Sequence, residues 1–273
     1  MKRMLFGNGA PLLCLAILAT CASTVRGALL AYEGFDYPTG GLHNANGGTG
    51  WGTSWNATGL TVATPGLNYP GLATSGNAIV PGGSQGYRHL SAAAPNSPGT
   101  TLWASFLISQ NGPNFGNFGF YGSGDEKFSY GDTWTGSGAS PNYSIYVAGG
   151  LAGGGSAYVD SGVPIDTSGP QLLVAQMNVR TDGTDLYIYR NPTIGATAPS
   201  TAAAIATYSS GQVILLDEVR VELASGTADE LRVATTFAEA VGLQAVPEPA
   251  SAALLALAVS GLGCARRRER IWT

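Results

Sequence analysis

Apolar positions along this chain come in short runs, and most of the runs alternate with a period of two. Successive side chains of an extended strand point to opposite faces, so these runs predict half-buried strands. In residues 101–108, Leu102, Ala104, Phe106 and Ile108 share one face. In residues 172–180, Leu172, Val174, Gln176 and Asn178 oppose Leu173, Ala175, Met177 and Val179, and the second set predicts the buried face. Thr181-Asp182-Gly183-Thr184 is turn chemistry, and residues 185–190 return with Leu186 and Ile188 on one face and Tyr187 and Tyr189 on the other. That pattern predicts a hairpin. Residues 213–216, 217–223 and 231–234 predict further strands. Glycine, 40 of 273 residues, joins Ser, Thr, Asn and Pro in separating the runs. No convincing amphipathic helical window interrupts them. The chain therefore predicts an all-β fold, a two-sheet antiparallel β-sandwich. Residues 149–155 are glycine-rich enough for a loop but lack the Lys-Ser/Thr of a phosphate cradle.

Both ends depart from this pattern. Met1-Lys2-Arg3 is a positive n-region, residues 11–22 are an apolar h-region, and small residues follow. Val25-Arg26-Gly27 before Ala28 and Thr20-Cys21-Ala22 before Ser23 both suit signal cleavage, and strand-like sequence from Leu29 favours a signal peptide over residues 1–27. At the other end, Val246-Pro247-Glu248-Pro249 precedes an uncharged, mostly apolar run over 250–265 and then Arg266-Arg267-Arg268. As a helix, sixteen residues span about 24 Å, short of a hydrocarbon core of about 30 Å. Snorkelling arginines close part of that gap. The positive-inside rule places the arginines in the cytoplasm and the preceding chain outside.

This tail closely resembles the PEP-CTERM sorting signal of bacterial envelope proteins, in Val246-Pro247-Glu248-Pro249, the apolar run and the arginine stop. The resemblance implies recognition by an exosortase, processing near Pro-Glu-Pro, and transient anchoring in the inner membrane. It implies an exported protein of the bacterial cell envelope, cell surface or extracellular matrix, with exosortase and the secretion machinery as partners. The expected organisation is a signal peptide (1–27), a sandwich domain (28–238), a linker (239–245) and a sorting signal (246–270) with its helix over 250–265. Residues 31–37, 47–55, 102–106 and 217–221 are similar to laminin-G/concanavalin-like sandwiches. That resemblance implies a jelly roll, which says little about activity.

Charge narrows the function. Residues 28–245 carry six basic and fifteen acidic side chains, a balance of −9 against −4 for the whole chain. An acidic body repels phosphate backbones, so no nucleic-acid partner is expected. The three cysteines, Cys14, Cys21 and Cys264, all lie outside the body, which removes thiol chemistry from it. His43 and His89 sit among loop residues with no nucleophile elbow nearby, so neither a Ser-His-Asp site nor a zinc site is expected. Glycoside hydrolysis needs two carboxylates across a cleft. Glu33-Gly34-Phe35-Asp36 has the wrong spacing, and Glu218 and Glu222 share a strand face too far apart for one reacting centre.

Two kinds of binding candidate remain. Asp182, Asp185 and the Asp125-Glu126 pair are hard oxygen ligands in loop-like positions, so Asp182 and Asp185 are candidates for a structural calcium; no other cofactor is expected. Trp51, Trp55 and Trp134 are candidates for stacking on sugar rings, with Tyr121, Tyr130, Tyr143 and Tyr146 behind them; aromatics also fill sandwich cores. Trp51 and Trp55 stand in glycine-rich surroundings that suggest an exposed loop. The sequence thus predicts a non-catalytic structural or adhesive protein. The alternative is a carbohydrate-binding module recognising extracellular polysaccharide, and the second alternative a degenerate or atypical glycoside hydrolase.

Overall fold

The computed structural model describes residues 28–82, 85–149 and 152–243. The expected signal peptide, the expected sorting motif Val246–Pro249, the apolar run and the arginine cluster lie outside the described residues. Among the described residues no helix is long and apolar enough to cross a membrane.

The strands in chain order are β1 Leu29–Glu33, β2 Gly40–Gly41, β3 Asn56–Thr58, β4 Thr61–Ala63, β5 Ala78–Val80 and β6 Gln85–His89. Then come β7 Thr101–Ser109, β8 Gly116–Gly122, β9 Asp125–Asp132, β10 Asn142–Val147 and β11 Ala157–Pro164. The last are β12 Gln171–Val179, β13 Thr184–Arg190, β14 Ala206–Ser210, β15 Glu218–Leu223 and β16 Thr227–Ala234, followed by one helical turn, α1 Phe237–Ala240. They form two antiparallel sheets. The nine-stranded sheet runs β14-β13-β12-β7-β16-β5-β4-β2, with β1 also paired to β16. The seven-stranded sheet runs β11-β10-β9-β8-β15-β6-β3.

Alternation decides which side chains meet between the sheets. Leu102, Ala104, Phe106 and Ile108 of β7 and Leu173, Ala175 and Met177 of β12 pack against Phe118, Phe120, Tyr130, Ile145, Val219 and Val221 of the smaller sheet. The expected hairpin is β12–β13, in register from Val179↔Thr184 to Leu173↔Arg190. Burial of Leu173, Ala175 and Met177 is as expected, but the opposite face is buried as well. Leu172 and Val174 join Trp103, Leu107, Tyr189, Phe237 and Val241 in a second core beneath α1. Residues 239–243 are therefore part of the packed domain rather than linker: Ala240 and Val241 are fully buried.

Residues 213–216 are not a strand. Ile214 and Leu216 are buried and Val213 and Leu215 exposed, so the period of two is real. Period two reports alternate burial, which an extended segment achieves without a strand ladder: here Ile214 N donates to Thr184 Oγ1 at 3.3 Å and Leu216 O accepts from Ala94 N at 2.8 Å.

Candidate functional site

On the smaller sheet, strand registers align outward side chains into rows across it. One row passes through Tyr158, Tyr146, Ser129, Gly119, Arg220, Tyr87 and Asn56. The small residues Ser129 and Gly119 form a low floor between larger neighbours. A Cβ at Gly119 would make only ordinary contacts, 3.4 Å to Ser129 Cβ and 3.5 Å to Arg220 Nε. The next row carries Asn117 beside Glu222. A hairpin over residues 133–140 rises beside this face. It is closed by Thr135 N donating to Gly138 O at 2.9 Å, and it holds Trp134 48% exposed. Trp134 stacks on Phe115, with centroids 5.8 Å apart and planes at 18°.

The result is a trough of about 350 Å³ lined by Phe115, Glu126, Ser129, Trp134, Tyr146, Arg220 and Glu222. That size lies in the range of small-molecule sites, and the lining joins aromatic faces to a few convergent polar groups. Arg220 organises the polar side. Its Nη2 lies 2.9 Å from Glu126 Oε1 and 3.2 Å from Glu222 Oε2. The two carboxylate oxygens are therefore separated by no more than those two distances together. Nη1 donates to Tyr121 Oη at 3.0 Å, and Nη2 also donates to Asn117 Oδ1 at 3.3 Å. Burial pushes the Glu126 carboxyl above its ordinary value against the opposing pull of Arg220. Burial works to lower the Arg220 pKa, and Glu126 and Glu222 more than offset it.

The sequence candidates distribute unevenly about this trough. Trp134 lies on its rim, with Tyr146 in its wall. Trp55 is fully buried, and its Nε1 donates to Glu33 Oε2 at 3.0 Å, so its ring is closed to sugar. Trp51 is half-buried and donates to Tyr32 O at 2.9 Å. Both rings flank the buried Arg88 guanidinium, at 5.1 Å for Trp51 and 5.6 Å for Trp55. Tyr130 and Tyr143 are core residues. Asp182 and Asp185 are both ion-paired with Arg180, at 3.2 and 2.6 Å. Among the described residues no group of three or more His, Cys, Asp or Glu side chains could hold a metal ion. His43 is exposed, and its Nδ1 accepts from Ala57 N at 3.3 Å; His89 is 3.4 Å from Glu218.

Phe115, Glu126, Ser129, Arg220 and Glu222 are the trough residues that strand-by-strand reading did not assemble. For Arg220 and Glu222 the sequence signal is the alternation Glu218-Val219-Arg220-Val221-Glu222-Leu223, with charges on every second position. A larger cavity, about 500 Å³, lies where the two ends of the described domain meet, beside Leu29 and Leu243. Its guanidinium, Arg232, is stacked 4.6 Å from the Tyr32 ring, pairs with Glu230 and donates to Ala73 O, while its Nη1 is buried without a hydrogen-bond partner.

No family model matches the chain, and no curated protein matches it. Several solved structures are similar to it. Domain 4 of AbnA, a GH43 extracellular arabinanase from Geobacillus stearothermophilus, solved with arabinotriose, is 13% identical over 79% of this chain and 97% of that one, with a TM-score of 0.45. The endo-1,3-beta-glucanase from Streptomyces sioyaensis is 11% identical over 76% and 96%, with a TM-score of 0.41. The metal-free carbohydrate recognition domain of Emp46p is 12% identical over 66% and 87%, with a TM-score of 0.36. Likenesses this distant place no site and assign no activity.

Proposed function

We propose that the chain is a carbohydrate-binding sandwich, of the jelly-roll kind its sequence resembles, and that the trough on the smaller sheet takes the sugar. One observation carries this reading: the exposed Trp134–Phe115 stack stands beside clustered polar groups on an otherwise ordered sheet face. An aromatic plane receives the apolar face of a sugar ring, and carboxylate and amide groups receive its hydroxyls. The PEP-CTERM-like tail and the signal-like N-terminus support deployment at the envelope or in the extracellular matrix. There, glycan binding delivers the structural or adhesive role expected from the sequence.

The test is affinity electrophoresis of the full-length chain through gels containing soluble polysaccharides. Retardation by at least one neutral or amino-sugar polymer is expected, and Trp134→Ala abolishes it. Unretarded migration in every gel sinks the proposal.

Hydrolysis is the second reading, and the closeness of Glu126 to Glu222 favours it. A glycosidase needs one carboxyl to hold a proton while its partner is ionised. Here one guanidinium is paired with both, which favours binding over proton donation. Release of reducing ends from a retained polysaccharide, lost in Glu222→Gln, would reverse that ranking.

A further inference from the structure

The charges of the trough point to a narrower ligand. Two carboxylates, Glu126 and Glu222, face one guanidinium. The donors of Arg220 go to Tyr121, Asn117 and the two glutamates. Its Nε is buried and has no hydrogen-bond partner. The trough thus has one guanidinium, outnumbered by the two carboxylates paired with it. Its carboxylates are partly open, at 20% and 24% side-chain exposure. Along β15, Glu218 adds a third carboxylate on the same face, beside the His89 ring. The walls are π faces of Trp134, Phe115 and Tyr146.

Covering this trough with a neutral sugar leaves an excess negative charge partly desolvated. Such a charge is costly unless a counter-charge arrives with the ligand. An ammonium group supplies that charge, and aromatic faces attract it further. A carboxylated sugar does the reverse, because it adds negative charge to a trough whose two carboxylates already outnumber its one guanidinium.

We propose that the trough selects glycans bearing free amino groups, glucosamine units being the simplest, over their N-acetylated, neutral and uronic counterparts. This rests on the carbohydrate-binding reading above.

The experiment is calorimetric titration of the full-length chain with four tetrasaccharides: a glucosamine tetramer, its N-acetylated form, a glucose tetramer and a uronic-acid tetramer. At low salt the glucosamine tetramer is expected to bind about tenfold more tightly than its N-acetylated form. The uronic tetramer gives no heat. Raising salt to about 0.5 M narrows the ratio, because screening acts on the charge term alone. Glu222→Gln brings the ratio to about two. Asp182→Asn, which removes an exposed carboxylate from the other sheet, leaves it at the wild-type value.

The inference is overturned if the N-acetylated or glucose tetramer binds as tightly as the glucosamine tetramer. It is also overturned if Asp182→Asn and Glu222→Gln lower the ratio equally, which would mark attraction to the acidic body as a whole. Binding of the glucose tetramer that is lost in Trp134→Ala would leave the carbohydrate reading standing without the amine preference. No heat from any tetramer removes both.

Discussion

Arg88 shows how one side chain reassigns its neighbours. It is buried on the inner face of β6, where a charge is tolerated only if paired and fully hydrogen-bonded. All five of its N–H groups find acceptors: Thr53 O at 2.8 Å, Asn46 Oδ1 and Gly47 O at 2.9 Å, Tyr37 Oη at 3.2 Å, and Glu33. Glu33 in turn accepts from Phe35 N at 2.8 Å, Tyr37 Oη at 2.7 Å and Trp55 Nε1 at 3.0 Å. Glycine-rich sequence around Trp51 and Trp55 reads as an exposed loop because the arginine that draws both rings inward lies more than thirty residues away. Arg88→Met leaves Glu33 buried without its counter-charge, and a loss of about 3–5 kcal/mol is expected in urea unfolding. An unchanged midpoint would show that the network contributes little. Trp134→Ala is the contrasting case. Its ring is half-exposed on a hairpin, so stability should move by less than about 0.5 kcal/mol while glycan binding falls at least about tenfold.

At the scale of elements, the period of two located strands well and their surroundings less well. Both β7 and β12 read as strands with one buried face, and that face is buried. Their second faces are also buried, because α1 and residues 241–243 fold back over the larger sheet. Nothing within β12 announces this except Leu172 and Val174, which are apolar where a solvent face would be polar. Phe237→Ala tests it: Phe237 lies 5.2 Å from the Trp103 ring, and truncation should cost about 3–5 kcal/mol. A solvent-facing Phe in a linker would cost almost nothing. The trough was legible on β15, where charges alternate with valines. Its other carboxylate was not, because Glu126 reaches Arg220 only through the β8–β9 pairing, whose register shifts between Phe120 and Tyr121. Gly119 is the matching probe on β8. Its backbone carries no positive φ and a Cβ meets only ordinary contacts. Gly119→Leu should therefore fold while filling the floor of the trough, and polysaccharide retardation should disappear with the unfolding midpoint nearly unchanged. Retention of binding would place the sugar elsewhere.

For the whole molecule, burial of several carboxyl groups gives a pH dependence that ordinary surface carboxylates would not produce. Burial pushes Asp132 up to about 6 and Asp229 up to about 8. Burial also raises Glu126, Glu218, Glu230 and Glu239 above their ordinary values. Asp166 alone moves the other way among the shifted carboxylates, held down by hydrogen bonds from Ser168. A carboxyl whose folded pKa is raised binds its proton more tightly in the folded chain than in the unfolded one. Its contribution to stability is fully present below the unfolded value, near 4, and is lost as pH rises through the folded value. Stability should therefore decline from about pH 4 to about pH 8, with a slope of at most about 1.4 kcal/mol per pH unit for each proton involved. Asp229 dominates the upper end. It sits at the β16 bulge, accepting from Leu67 N at 2.8 Å and Glu230 N at 2.7 Å, next to Glu230, whose φ is 57°. Asp229→Asn disturbs one of those hydrogen bonds and lowers stability at every pH. The diagnostic quantity is the slope between pH 6 and 8, which should flatten relative to wild type in urea midpoints measured across that range. A midpoint that rises from pH 5 to 8 would mean that ionised, well-paired carboxylates govern this fold after all, and an unchanged slope in Asp229→Asn would move the linkage to the remaining buried acids.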